Sequence, residues 1–243
     1  MTKITVIIPT QNQRESLNRA VQSVLNQSFS DWELFIVKDS SSTIESIIDD
    51  KRVKIISNEG ERGANGSRNT GIKYALGKYI AFLDDDDEWL PEKLYLQLNM
   101  MEKEQSILSF TGKNIFKNAN FQKYSFRNSF KWLLNFYNFV GTTSSVLISR
   151  EALQSVGGFD ESITQLQDYE LFLRLRTLGK FSGIDSPLVN YYMDKSDEHV
   201  SNNWSNFFRS SYKIWVKQKG IGLVLLPLGL LITFFQKTKN AII

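Results

Sequence analysis

Short apolar runs alternate with amphipathic stretches through the first half of the chain. Residues 4–8 form a β-rich apolar run that stops at Pro9, the pattern of a strand buried on both faces. Across 16–27, Leu17, Ala20, Val21, Val24 and Leu25 recur at helical spacing and make one apolar stripe. Residues 34–37 predict a second strand, 43–49 a short helix and 53–56 a third strand. A glycine-rich loop over 58–66 leads into a helix that Ser67 would cap and Gly77 would end after Leu76. Residues 79–83 are a fourth buried run. The order β-α-β-α-β-α-β predicts an α/β fold with a mostly parallel, doubly wound central sheet flanked by helices, strands one and four lying side by side at the switch point. The strand ends at Pro9-Thr10, Asp39 and Asp84 then share one edge, where such sheets bind ligands.

The second half is less regular. Pro91 opens a helix to about Glu104 with Leu94, Leu98 and Met101 inward. Residues 107–111 read as a fifth strand, 113–138 as irregular, basic and aromatic, 144–148 as a strand, and 151–156 as a short helix closed by Gly157-Gly158. A helix over 167–178 has Leu171, Leu175 and Leu178 on its apolar face and Asp168 in its first turn, where the helix dipole favours an acid. Residues 188–192 are the last strand. Residues 203–219 then predict a basic, aromatic helix, and 221–235 are apolar except for Gly222, Pro227, Gly229 and Thr233. That apolar run would extend about 22 Å as a helix, short of the roughly 30 Å hydrocarbon core, and Pro227 would kink it. A membrane-surface or re-entrant segment is one reading, a buried helix or homodimer contact the other. The division expected is a domain over 1–198, with halves 1–112 and 113–198, and a helical tail over 199–243.

Charge sharpens this picture. The net charge is only +3, but acidic residues are absent from 105–150 and again from 199–243, both rich in lysine, arginine and aromatics. Such surfaces suit a polyanion or an anionic membrane face. The absence of cysteine excludes disulfides and thiolate chemistry. The N-terminus has no signal-peptide form, so a cytoplasmic location is expected, peripheral to the inner face of the membrane. Four consecutive aspartates, Asp84 to Asp87, end the fourth strand. Adjacent carboxylates repel and raise one another's pKa unless a cation sits among them, and Mg²⁺ or Mn²⁺ prefers oxygen ligands shared with a phosphate-bearing substrate.

Several segments together resemble the inverting GT-A glycosyltransferases of family 2. They are Val6-Ile7-Ile8-Pro9-Thr10, Val37-Lys38-Asp39-Ser40, Ala64-Asn65-Gly66-Ser67-Arg68-Asn69, Phe82-Leu83-Asp84-Asp85-Asp86-Asp87-Glu88-Trp89, Gly157-Gly158-Phe159-Asp160 and Gln167-Asp168-Tyr169-Glu170. The resemblance covers residues 3–193 and implies a GT-A, Rossmann-like nucleotide-diphospho-sugar transferase fold. It implies that Pro9 and Thr10 line a nucleotide pocket, Asp39 accepts a hydrogen bond from the base, and Arg68 lies near the donor diphosphate or sugar. Asp84 and Asp86 match the ends of a DXD motif, Asp86 being the direct ligand of Mn²⁺ or Mg²⁺ and Asp85 or Asp84 meeting the sugar or ribose. Asp168 matches the general base. Lys38, Ser40 and Gln167 depart from the family pattern, the first two where the nucleotide is read and the third beside the base.

These parts imply transfer of a sugar from a nucleotide-diphosphate donor, a UDP-sugar in the commonest case, to a hydroxyl of a glycan or lipid-linked acceptor in surface polysaccharide synthesis. His199, the sole histidine, is a further metal or phosphate contact or an ordinary loop residue. Dinucleotide chemistry is disfavoured because the first strand lacks Gly-x-Gly-x-x-Gly at its end. A basic membrane- or nucleic-acid-binding protein would explain the cationic stretches but not carboxylates at strand ends, so no nucleic acid is expected.

Overall fold

The structure is a computed structural model and describes residues 2–12, 15–39, 49–117, 120–124, 134–193 and 204–217. Four parallel strands build its first half: β1 (Ile4–Thr10), β2 (Trp32–Lys38), β3 (Val53–Ser57) and β4 (Tyr79–Phe82) lie in the order β3-β2-β1-β4. Strands one and four are neighbours, as the doubly wound order requires. Helix α1 (Glu15–Leu25) follows β1 and α2 (Ala64–Tyr74) follows β3. The helix expected over 43–49 falls almost wholly outside the described residues.

Beyond β4 the sheet changes character. A two-residue strand, β5 (Glu88–Trp89), and helix α3 (Lys93–Glu104) precede the hairpin β6 (Leu108–Lys117) and β7 (Asn120–Tyr124). After a 3-10 turn at Thr143–Ser145 come β8 (Val146–Ser149), α4 (Arg150–Ser155), α5 (Gln167–Leu175), β9 (Phe181–Met193) and α6 (Trp204–Lys217). The sheet continues β4-β8-β6-β9-β5, with β8 antiparallel to both neighbours and β6 parallel to β9. It is thus parallel through its first half and mixed in its second.

Residues on opposite sides of each strand feed two cores. Ile4, Val6 and Ile8 pack with Leu17, Val21 and Val24 of α1 and with Leu94, Leu98 and Met101 of α3. Ile7 faces the other side, with Ile72 of α2, Leu171, Phe172 and Leu175 of α5, and Ile214 of α6.

Four expectations need correction. The stretch from 113 is not irregular at its start, because β6 runs on to Lys117 and turns into β7. Among the described residues β7 pairs only with β6, and an edge strand tolerates charge that a central strand does not. Helix α2 begins at Ala64, not behind a Ser67 cap, because Gly63 adopts φ +123° and makes the entering turn; it ends at Tyr74, before Gly77. Helix α5 stops at Leu175, leaving Leu178 about half exposed. Finally, β9 starts at Phe181 rather than 188, and its pairing with β6 shifts register around Gly112.

Candidate functional site

The carboxyl ends of β1, β2 and β4 and the first turn of α2 surround a cavity of about 290 Å³. Pro9, Thr10, Gln11, Asn12, Asp39, Ala64, Ser67, Arg68, Asp84, Asp85 and Asp86 line it. Seven residues singled out in the sequence therefore converge at one place: Pro9, Thr10, Asp39, Arg68, Asp84, Asp85 and Asp86.

Five of them, Thr10, Asp39, Arg68, Asp84 and Asp85, are held by bonds the fold supplies. The Thr10 hydroxyl lies 2.5 Å from Asp85 Oδ2, bridging β1 to the acidic turn. The Asp39 amide donates to Thr10 O at 2.8 Å, while its carboxylate accepts from the Gly63 N–H at 2.9 Å and from Asn58 Nδ2 at 2.6 Å. Asp39 thus fastens the loop that enters α2. Arg68 is buried and donates to Asp84 Oδ1 at 2.6 Å. Thr143 Oγ1 sits 3.3 Å from both Asp84 oxygens, and the Asp84 amide donates to Ser144 Oγ at 3.1 Å. Ser67 is fully buried, and its hydroxyl on the cavity wall has no hydrogen-bond partner.

The four aspartates are not equivalent. Asp87 points away from solvent, is fully buried, and neither carboxylate oxygen has a partner within hydrogen-bonding distance. Burial, reinforced by the charges of Asp84 and Asp86, pushes its carboxyl well above the ordinary range, against a weaker opposing pull from Lys113. Among the described residues no group of three or more His, Cys, Asp or Glu could hold a metal alone. With Asp84 tied to Arg68 and Asp85 to Thr10, the donor set fits a cation held by one or two carboxylates and completed by phosphate oxygens and water, which is how Mg²⁺ usually binds. His199 lies outside the described residues.

Asp168 opens α5 behind Leu166, which sits at φ +59°. Its Oδ1 accepts from the Tyr169 amide at 2.7 Å, and Asn138 Nδ2 reaches Oδ2 at 3.5 Å. It does not line the cavity, but Arg68, Lys113 and Asp84 lie within electrostatic reach. Burial raises its carboxyl above the usual value, as does Asp84, while the Tyr169 amide and the two cations oppose the rise. A carboxylate so placed holds a proton more readily than one in water, which suits a base.

Sequence reasoning missed Lys113 and Tyr191. The Lys113 ammonium sits 4.3 Å from the centre of the Tyr191 ring and feels Asp87, Asp168 and Asp84, although burial still lowers its pKa. The Tyr191 hydroxyl is raised by burial and by the same carboxylates. Continuing the fifth strand past Thr111 would have carried Lys113 toward the acidic turn.

The profile of glycosyl transferase family 2 matches residues 5–161. The chain belongs to that family. Over 104 residues it is 41% identical to the UDP-Glc:alpha-D-GlcNAc-diphosphoundecaprenol beta-1,3-glucosyltransferase WfgD of Escherichia coli, an alignment covering 41% of each protein. Over 210 residues it is 29% identical to the amylovoran biosynthesis glycosyltransferase AmsB of Erwinia amylovora, covering 78% of this chain and 69% of that one. The structure of Staphylococcus aureus TarS 1-349 in complex with UDP-GlcNAc superposes with a TM-score of 0.72 at 18% identity, over 88% of this chain and 66% of TarS 1-349. That likeness identifies the fold as GT-A. The family match spans the cavity residues and Gly157–Asp160 but stops before Asp168. Among the described residues no helix is long and apolar enough to cross a membrane.

Proposed function

We propose that this family 2 protein is a cation-dependent inverting glycosyltransferase that takes its sugar from a UDP-sugar and gives it to a hydroxyl of a lipid-diphosphate-linked glycan. The observation that carries the reading is the convergence of Asp39, Arg68 and Asp84 to Asp86 in one cavity, with a raised carboxyl at Asp168 close by. Thr10 and Asp39, beyond the strand ends, would meet the base and ribose. Asp86, aided by Asp84, would hold Mn²⁺ or Mg²⁺, which supplies charge neutralisation to a departing diphosphate. Arg68, now paired with Asp84, would exchange it for a phosphate oxygen as the donor enters. Asp168 would accept the proton of the acceptor hydroxyl, and one displacement inverts the anomeric centre. The WfgD name, with its diphosphoundecaprenol acceptor, supports the acceptor class.

The test is calorimetric titration with UDP, with and without Mn²⁺, on the parent and on Asp86→Asn, followed by a panel of UDP-sugars. Mn²⁺-dependent binding lost in the variant is expected. Absence of UDP binding under both conditions would reject the donor assignment.

The same reading puts 199–243 against an anionic membrane. Helix α6 carries no acid and exposes Tyr212 and Val216 on the side away from Ile214, with Arg209 flanking them. Removal of residues 221–243 should release the protein from anionic vesicles; a truncated chain that still sediments with them would rule out that segment as the anchor.

A further inference from the structure

One face of α1 reads the backbone of the acidic turn and of the segment that follows. Arg19 and Ser23 lie one turn apart, and Gln27 continues the same row just past the helix. Arg19 Nη2 donates to the Asp86 carbonyl at 2.8 Å. The Trp89 amide donates to Ser23 Oγ at 3.1 Å. Gln27 donates to Leu90 O at 2.9 Å and accepts from the Leu94 amide at 3.0 Å. Ser23 and Gln27 thereby hold β5 and the start of α3, which are parts of the fold. Arg19 holds a residue of the cavity wall.

Arg19 is itself fixed from a third element. Its guanidinium lies 4.0 Å over the ring of Tyr192 on β9. The Tyr192 hydroxyl donates to Glu88 Oε2 at 3.0 Å, and Phe116 stacks on the same ring at 5.0 Å between centroids. A planar guanidinium can lie on an aromatic face and still direct an N–H in its own plane at a carbonyl. The bond fixes the peptide that joins Asp86 to Asp87, and so the direction in which the Asp86 carboxylate leaves the chain. It also places a positive charge beside a run of carboxylates that repel one another.

We infer that Arg19 is a positioning residue: it aims the Asp86 carboxylate at the cation that accompanies the donor diphosphate, and Tyr192 holds it in place. This rests on the proposal that a divalent cation joins the donor at Asp86. The apolar stripe of α1 does not include Arg19, so its replacement leaves the packing of Leu17, Ala20, Val21 and Val24 intact.

The experiment compares the full chain with Arg19→Gln, Arg19→Lys and Tyr192→Leu. UDP affinity is measured by calorimetry with and without Mn²⁺, and binding of Mn²⁺ in the presence of UDP by electron paramagnetic resonance of the free ion. Arg19→Gln should lower Mn²⁺ affinity about 10- to 100-fold, the range seen when groups that orient metal ligands are removed. UDP affinity without Mn²⁺ should stay at the parental value. Arg19→Lys should recover part of the loss, because an ammonium can reach the carbonyl but cannot stack as a plane. Tyr192→Leu should fall between the two. Parental Mn²⁺ affinity in Arg19→Gln overturns the inference, and so does an equal loss of UDP affinity with and without the ion, which marks general disruption of the turn. If Arg19→Gln fails to fold, Arg19→Lys against Tyr192→Leu reads the same quantity. A parent that binds UDP without any Mn²⁺ dependence rejects the cation itself, a different result from a variant that keeps the parent's dependence.

Discussion

The ion pair between Arg68 and Asp84 lets the donor cavity be weighed without any ligand. The two side chains are 4% and 29% exposed, with Nη2 and Oδ1 2.6 Å apart. Asp84→Ala leaves the guanidinium buried with two long contacts, Asn65 Oδ1 and Thr143 Oγ1, each at 3.4 Å. Breaking a fully buried pair from one side costs about 3–5 kcal/mol. The partial exposure of Asp84 allows some water to take its place, so a loss of about 2–3 kcal/mol is expected. For a chain of this size that lowers the melting temperature by roughly 5–10 °C. Arg68→Met should cost less, because the stranded Asp84 keeps Thr143 and partial solvation. The double variant should then be more stable than the sum of the single losses predicts, by about 2 kcal/mol. Urea denaturation of all four proteins in EDTA measures that coupling. Repulsion within the aspartate run pulls the other way: if it outweighs the ion pair, Asp84→Ala will be more stable than the parent. That result, or additivity within about 0.5 kcal/mol, would refute the reasoning.

Three further outcomes can be checked. Asp168→Asn should lower turnover by about 10²–10⁴, and the parent's kcat/KM should fall with acidification through a pKa above the ordinary carboxylate value, because burial favours the protonated form; a flat profile down to that ordinary value would reject Asp168 as the base. Gly66→Ala should destabilise by about 3 kcal/mol or fail to fold, since its Cβ would stand 1.9 Å from the backbone oxygen of Glu61, and a parental melting temperature would show that the turn can open. Lys93 is fully buried, with Gln97 Oε1 at 2.6 Å and the Trp89 ring at 4.0 Å, and burial alone drives its pKa far down from 10.5. Its folded pKa lies below the unfolded one, so the cost of burying it is full below the folded value and vanishes above the unfolded value. Lys93→Met should therefore stabilise the protein most at acid pH, with the gain shrinking as pH rises from the folded value toward 10.5; denaturation curves across pH that show a constant gain would contradict this.

The convergence on the cavity was readable in the chain because each part sits where a periodic run stops. Pro9, Asp39 and Asp84 each follow an apolar strand, and parallel β-α-β connectivity by itself brings such ends to one edge. Two features stayed hidden for local reasons. Ser67 reads as a cap because serine is a common one, yet the turn into α2 is made by Gly63 and secured by Asp39, twenty-four residues earlier in the chain. Lys113 reads as one more surface cation in an acid-free stretch, whereas β6 carries it to the side of Asp87 and Asp168.

The difference between the two halves follows from contact range. Residues that line the donor cavity come from consecutive β-α-β units whose order fixes their neighbours. The surroundings of Asp168 depend on β6 pairing in parallel with β9, partners that are about seventy residues apart and shifted in register at Gly112. No run of sequence specifies that shift. It is nevertheless what brings Lys113 opposite Val189 and puts Tyr191, two residues on, under the ammonium. Tyr192, the next residue of β9, turns to the other side and meets Arg19 and Glu88. Adjacent residues of a single strand thus touch the acidic turn's surroundings from opposite faces of the sheet, Tyr191 through Lys113 and Tyr192 through Arg19. A slip of one residue between β6 and β9 would exchange those faces, taking Lys113 from the aspartates and the Tyr192 ring from under Arg19.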